Sequence, residues 1–175
     1  MSTQRDKKIV ELLEDENIEK QLEGVAMMRE KGHVKLLPAV FKLLRKSEDE
    51  KVKNDIAHFL FDIKDKEAIP YFIKAIEEPA YQDYQRILVS ACWESSLDYT
   101  PYLLIFVNVA INADYLTCVE CLTVIENMEG PFDNNHLEIA IKTTKEAADE
   151  SNEEKFELLN SLWEVLVDFK AYKSK

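Results

Sequence analysis

Three short segments of this chain repeat one another, and the repetition limits the folds that the chain can adopt. The segments are "LLPAVFKLL" (36–44), "AIPYFIKAI" (68–76) and "YTPYLLIFV" (99–107), in which Pro38, Pro70 and Pro101 follow one another at spacings of 32 and 31 residues. Proline suits the first turn of a helix, where its missing N–H costs no hydrogen bond. A period of 20–50 residues is typical of stacked repeat architectures.

A second amphipathic pattern precedes two of these segments. It reads "VKNDIAHFLFDI" (52–63) and "YQRILVSACWESSL" (84–97), so each repeat is predicted to be a pair of helices joined by a short turn. The predicted repeats span residues 17–46, 49–78, 82–112 and 114–148, with capping helices at 3–14 and 152–171. Three glycines and five prolines leave too few turn formers for a many-stranded β-protein, so the predicted fold class is all-α.

Paired helices of this period, with a proline opening the second, resemble the HEAT-repeat family in its short bacterial form. The segment "DKEAIPYFIKAI" (65–76) carries the resemblance best, whereas the first and fourth copies match more loosely. The resemblance implies a single domain over residues 1–175, a right-handed α-α superhelix of about ten helices in which the second helices line the concave face. It also implies that the last helix covers the open apolar end with Phe156, Leu159, Leu162, Trp163, Leu166 and Phe169. Such folds usually bind other proteins.

Alignment of the second helices separates core positions from outward ones. The outward columns read Ala39, Tyr71, Tyr102 and Ile139, then Lys42, Lys74, Ile105 and Lys142, then Lys46, Glu78, Val109 and Glu146. The third repeat therefore has Ile105 and Val109 where the others have charged residues. The predicted partner-binding row on the concave face is Lys42, Tyr71, Lys74, Tyr102, Ile105 and Val109.

The apolar character of the third repeat has several interpretations. "DYTPYLLIFVNVAINAD" (98–114) holds fifteen uncharged residues between two aspartates, which is too short a run for a membrane span. Curvature or the last helix could bury this face within the monomer. Alternatively, the face could bind a partner or a second copy of the chain, or a small apolar ligand could lie in the groove.

The charge and the short motifs of the sequence bear on nucleic-acid binding, metal binding and catalysis. The net charge is −12, and the absence of any basic residue between Arg86 and Lys142 disfavours nucleic-acid binding, including the activity of the HEAT-like DNA glycosylases. The His-Glu dipeptides of the HEAT-like di-iron hydroxylases are missing, and Cys118 and Cys121 supply only half of a zinc site. We therefore predict no metal, no cofactor and no catalytic residues, with the cysteines packed as small apolar groups.

Together these features predict a non-enzymatic module that binds a protein or peptide, with an acidic or amphipathic peptide suiting the mixed row of lysines and aromatic residues. The alternative is a small-molecule-binding or lyase-like protein that uses the apolar groove. The start of the chain has neither an apolar run of signal-peptide length nor a glycine at position 2, which predicts a cytoplasmic protein.

Overall fold

The computed structural model describes residues 3–172, and their regular structure is helical throughout. Ten α-helices occur in this range: α1 (Gln4–Glu14), α2 (Ile18–Lys31), α3 (Leu37–Lys46), α4 (Glu50–Phe61), α5 (Ile69–Glu77), α6 (Gln85–Glu94), α7 (Leu103–Asn112), α8 (Tyr115–Glu126), α9 (Asn134–Glu150) and α10 (Glu153–Tyr172). The prediction of an all-α repeat fold is confirmed. Over the described residues, no helix combines the length and the apolar character that crossing a bilayer would require.

Side-chain caps and prolines explain where the helices begin. The side chains of Asn17, Asp49, Asp114 and Asp133 accept backbone N–H groups in the first turns of α2, α4, α8 and α9. Short 3-10 turns, Val34–Leu36 and Lys66–Ala68, lead into α3 and α5, whose first turns contain Pro38 and Pro70. Pro101 differs from the expectation, because it lies in the 3-10 turn Thr100–Tyr102 and α7 begins only at Leu103.

The chain forms two compact units, and the boundary between them lies between Leu97 and Asp98. In the first unit, α1, α3 and α5 pack side by side in one layer, and α2, α4 and α6 form the other. The backbones of the two layers approach closely in the pairs α1 with α2, α3 with α4 and α5 with α6. Phe41 and Phe72 meet edge to face in the core, with ring centroids 5.6 Å apart.

The second unit contains α7 to α10. Helix α7 packs against α8 and α9, and α10 packs against α8 and α9. Along α10, Leu159, Leu162 and Leu166 are buried, while Phe156, Trp163 and Phe169 are half-buried. The ring of Phe169 stacks on Phe132 with centroids 4.5 Å apart, so the last helix covers apolar surface of its own unit.

The boundary between the units falls inside the predicted third repeat, since α6 belongs to the first unit and α7 to the second. The description of residues 1–175 as one domain stays a prediction. Each part of the predicted contact row is therefore described within its own unit.

Candidate functional site

The first unit contributes Lys42 from α3 and Tyr71 and Lys74 from α5. Lys74 is exposed, Tyr71 is half-buried, and the side chain of Lys42 is 42% exposed. Tyr71 and Lys74 are three residues apart on one helix, which places an aromatic ring and a cation on the same face. This pair has the character expected for a peptide-binding surface.

Lys42 is tied to another helix. Its ammonium donates a hydrogen bond to Glu14 Oε1 at the end of α1, over a distance of 2.5 Å. The hydrogen bond and the charge of Lys42 lower the pKa of the Glu14 carboxyl. No local sequence pattern indicates this pairing, because the partners are 28 residues apart and belong to different helices. Part of the positive charge that was predicted to face a partner is thus neutralised within the unit.

An open cleft of about 660 Å³ lies beside this ion pair. Its lining includes the ion pair itself, Asp15, Glu16, Lys46, Glu48 and Asp49, together with the apolar side chains of Leu13, Ile18 and Leu43. Most of the polar lining is acidic. Residues 13–49 line this cleft, so it is not the apolar groove that was predicted on the third repeat.

The second unit contributes Tyr102, Ile105 and Val109. Tyr102 and Ile105 are half-buried, so part of each side chain remains accessible to a partner. Val109, in contrast, is only 6% exposed. The prediction that Val109 lies on an outward face is wrong.

The burial of Val109 follows from the packing of α7. This helix lies against both α8 and α9, and its buried residues cover a wide arc: Leu103, Phe106, Val107, Val109 and Ala110. The equivalent positions in the other second helices, Lys46, Glu78 and Glu146, are exposed. The apolar residue at this position in α7 therefore serves packing. The accessible residues of this helix are half-buried Leu104, Ile105 and Ile111 and exposed Asn108 and Asn112.

Helix α9, the other second helix of this unit, also exposes an apolar side chain. Ile139, which aligns with Tyr102, is 49% exposed and lies on a helix that packs against α7. Lys142, which aligns with Ile105, lies 3.8 Å from Glu146 on α9. The second helices of this unit thus present Tyr102, Ile105 and Ile139 as accessible apolar side chains.

Helix α8 exposes two further apolar residues that the sequence analysis did not select. Tyr115 is 40% exposed and Leu116 is 53% exposed. The repeat alignment of the first helices indicates Leu116. Lys51 and Asp83 are charged and lie 32 residues apart, and Leu116, 33 residues after Asp83, puts an apolar residue at the same position.

The cysteines of α8 lie inside the second unit. Cys118 and Cys121 are buried, and burial raises the pKa of the Cys118 thiol to about 11. A thiol with this pKa is protonated at neutral pH and is a poor nucleophile. Across residues 3–172, no cluster of three or more His, Cys, Asp or Glu side chains is arranged to hold a metal ion.

Comparisons with known proteins address the repeat family. The sequence model of the family described as HEAT repeats matches residues 7–92, just under half of the chain. A designed armadillo repeat protein is similar over 90% of this chain and 80% of its own, with 16% identity and a TM-score of 0.47. No curated protein matches the chain. The predicted HEAT-like family is confirmed for residues 7–92, the part of the chain that matches the HEAT repeats.

Proposed function

We propose that this chain is a non-enzymatic interaction module that binds a protein or peptide through the faces of its second helices. The observation that carries the proposal is the equivalent repeat position of Tyr71 in α5 and Tyr102 in the 3-10 turn that leads into α7. Both rings are half-buried and sit at the same position of the repeat. Tyrosine is enriched among the residues that dominate binding energy at interfaces, because it buries a large apolar area and keeps a polar end.

The residues beside each tyrosine suggest what the partner offers. In the first unit, exposed Lys74 lies one turn from Tyr71, which suits an acidic group on the partner. In the second unit, half-buried Ile105 lies one turn from Tyr102 and suits an apolar side chain. An acidic or amphipathic peptide satisfies both. Lys42 contributes less than its position suggests, because its charge is paired with Glu14.

A cytoplasmic location and the absence of catalysis belong to the same proposal. Proteins of this repeat class generally act as scaffolds, and the raised thiol pKa of Cys118 fits a packing role for that residue. The 660 Å³ cleft of the first unit has a charged lining and does not suit a small apolar ligand.

Crosslinking in native lysate, read beside a thermal-shift panel of metabolites, tests the proposal. The wild-type chain is compared with Tyr71→Ala, Ile105→Lys and a control, Ala26→Lys, which changes an exposed apolar residue of α2. We expect a crosslinked protein partner that both test variants lose and that the control keeps.

Two results would contradict the proposal. One is stabilisation of the chain by a small molecule with no protein partner. The other is a partner that the control loses to the same extent as the test variants, since binding would then not depend on the second helices.

A further inference from the structure

The first turn of α8 departs from the equivalent turn of α4. Both helices begin after an aspartate cap: Asp49 accepts the N–H of Val52, and Asp114 accepts the N–H of Thr117, at 3.0 and 2.9 Å. The residues between the aspartate cap and the residue that donates to it are therefore equivalent in the two helices. In α4 they are Glu50 and Lys51, and in α8 they are Tyr115 and Leu116.

These two apolar side chains remain accessible to solvent, at 40% and 53% exposure. One turn further, α8 has half-buried Val119 where α4 has exposed Asn54. Apolar side chains left in water forgo the free energy of burial, so three of them along one helix form a surface that association can bury.

Exposed carboxylates lie near the start of this apolar strip. The ammonium of Lys155 in the first turn of α10 donates to the carbonyl of Ala113, two residues before Tyr115. This contact brings exposed Glu153 and Glu154 to the same end of the unit as exposed Asp114. The ammonium of Lys155 is held against backbone carbonyls, and the three exposed carboxylates outnumber it at this end of the unit.

The surrounding sequence reinforces the negative charge. Residues 98–175 contain 15 acidic and 6 basic residues, a net charge of −9. Between Arg86 and Lys142 the chain has no basic residue. A negative potential of this kind attracts basic partners and repels acidic ones, including the anionic surface of a cytoplasmic membrane leaflet.

We propose that this surface, which we name the α8 edge and define by Asp114, Tyr115, Leu116, Glu153 and Glu154, docks a basic amphipathic peptide segment of a partner protein. Apolar residues of the segment cover Tyr115 and Leu116, and its Lys or Arg side chains pair with the carboxylates of the α8 edge. The α8 edge is separate from the faces of the second helices, and neither proposal depends on the other.

The proposal can be tested on the full chain with a synthetic probe. The probe is a fluorescein-labelled peptide of about two heptads, about 14 residues, with leucine and lysine at amphipathic helical spacing. A matched peptide carries glutamate in place of each lysine. Binding is followed by fluorescence anisotropy, and the bound region is located by hydrogen–deuterium exchange.

Two kinds of variant separate the apolar and the charged contributions. Leu116→Lys gives α8 the residue that α4 has at this position, and the double variant Glu153→Lys with Glu154→Lys reverses the charge of two of the carboxylates. Ile18→Lys is the matched control, because Ile18 is 41% exposed and has no place in the α8 edge. All substituted side chains are exposed, and circular dichroism verifies that each variant is folded.

We expect the basic peptide to bind, the acidic one not to bind, and exchange protection to appear at the start of α8 and α10. The dissociation constant should rise roughly tenfold or more for Leu116→Lys and for the double variant, because each removes a main component of the contact. The control should change it less than about twofold, the size of a peripheral electrostatic effect.

Three results would overturn the proposal. Equal weakening by Leu116→Lys and Ile18→Lys would show nonspecific attraction to an acidic protein. Protection on α3 and α5 instead of α8 would place the peptide on the surface of the proposed function. Self-association of the chain in sedimentation experiments, abolished by Leu116→Lys, would show that a second copy occupies the α8 edge.

Discussion

The side chain of Lys155 caps the C-terminal end of α7, although Lys155 and Ile111 are 44 residues apart in the sequence. Its ammonium donates hydrogen bonds to the backbone carbonyls of Ile111 and Ala113, at 2.7 and 2.5 Å. The last carbonyls of a helix have no partner within it, and a cation there also interacts favourably with the helix dipole. Lys155 thus joins the first turn of α10 to the connection between α7 and α8.

Removal of this cation should destabilise the second unit. Lys155→Met keeps most of the aliphatic stem but loses both hydrogen bonds, and we expect the free energy of unfolding to fall by about 1–2 kcal/mol. Urea denaturation measures the loss, and hydrogen exchange should show faster opening at the end of α7. Lys142→Met is the control, since the Lys142 side chain is 75% exposed and its ion pair with Glu146 should be worth less than about 0.5 kcal/mol. Equal effects of the two substitutions would contradict a capping role.

Ile105 and Val109 should respond very differently to lysine. Val109→Lys places an ammonium where the structure leaves 6% exposure, so we expect a loss of several kcal/mol, about 3 or more, or failure to fold. Ile105→Lys, on the half-buried side of the same helix, should cost about 1 kcal/mol or less. Thermal and urea unfolding measure both. Similar losses would show that Ile105 belongs to the core and cannot serve a partner.

The hydroxyl of Thr144 offers a route to higher stability. Thr144 is fully buried, and its Oγ1 has no hydrogen-bond partner among the described residues. Thr144→Val removes the cost of burying an unpaired hydroxyl while keeping the shape, so we expect a gain of up to about 1 kcal/mol in the free energy of unfolding.

Thr117→Val is the matched control for that substitution. Thr117 is buried, but its hydroxyl donates to Asp114 Oδ2 at 3.2 Å, so valine there should lower stability by about 1 kcal/mol. If both substitutions destabilise the chain equally, the Thr144 hydroxyl is bonded in solution.

The thiol of Cys118 should make stability depend on alkaline pH. Burial raises its pKa in the folded chain from the ordinary 9.0 to about 11. The folded state therefore holds the proton more tightly than the unfolded state does. The associated stabilisation is fully present below pH 9 and declines as the pH rises towards 11.

A comparison of wild type with Cys118→Ala isolates this effect, because the other alkaline titrations are common to both chains. The difference in free energy of unfolding should shrink between pH 9 and pH 11. Rapid reaction of the native Cys118 with a thiol reagent at neutral pH would contradict the raised pKa.

Local features let the sequence define much of the repeat architecture. Prolines in the first turns of α3 and α5, and aspartate caps before α4 and α8, mark helix starts through interactions that span only a few residues. The predicted start of α7 was less accurate, because the backbone around Pro101 forms a 3-10 turn. A proline suits a 3-10 turn as well as the first turn of an α-helix, so the sequence does not distinguish the two.

The contact row shows where local reasoning fails. The sequence identified Tyr71, Lys74, Tyr102 and Ile105 as outward positions, and all four are exposed or half-buried. It placed Val109 with them because a repeat alignment assumes that equivalent positions have equivalent surroundings. Helix α7 packs against two neighbours over a wide arc, and that packing buries Val109.

The sequence by itself determined the helical class, the paired helices and their approximate limits, because periodicity, caps and prolines act within one or two turns. Tertiary structure decided which side chains remain available. The pairing of Lys42 with Glu14, the burial of Val109 and the position of Lys155 beside Ala113 all join residues from different helices. Such contacts depend on how helices pack, and the chain encodes that packing only through the sum of many distant interactions.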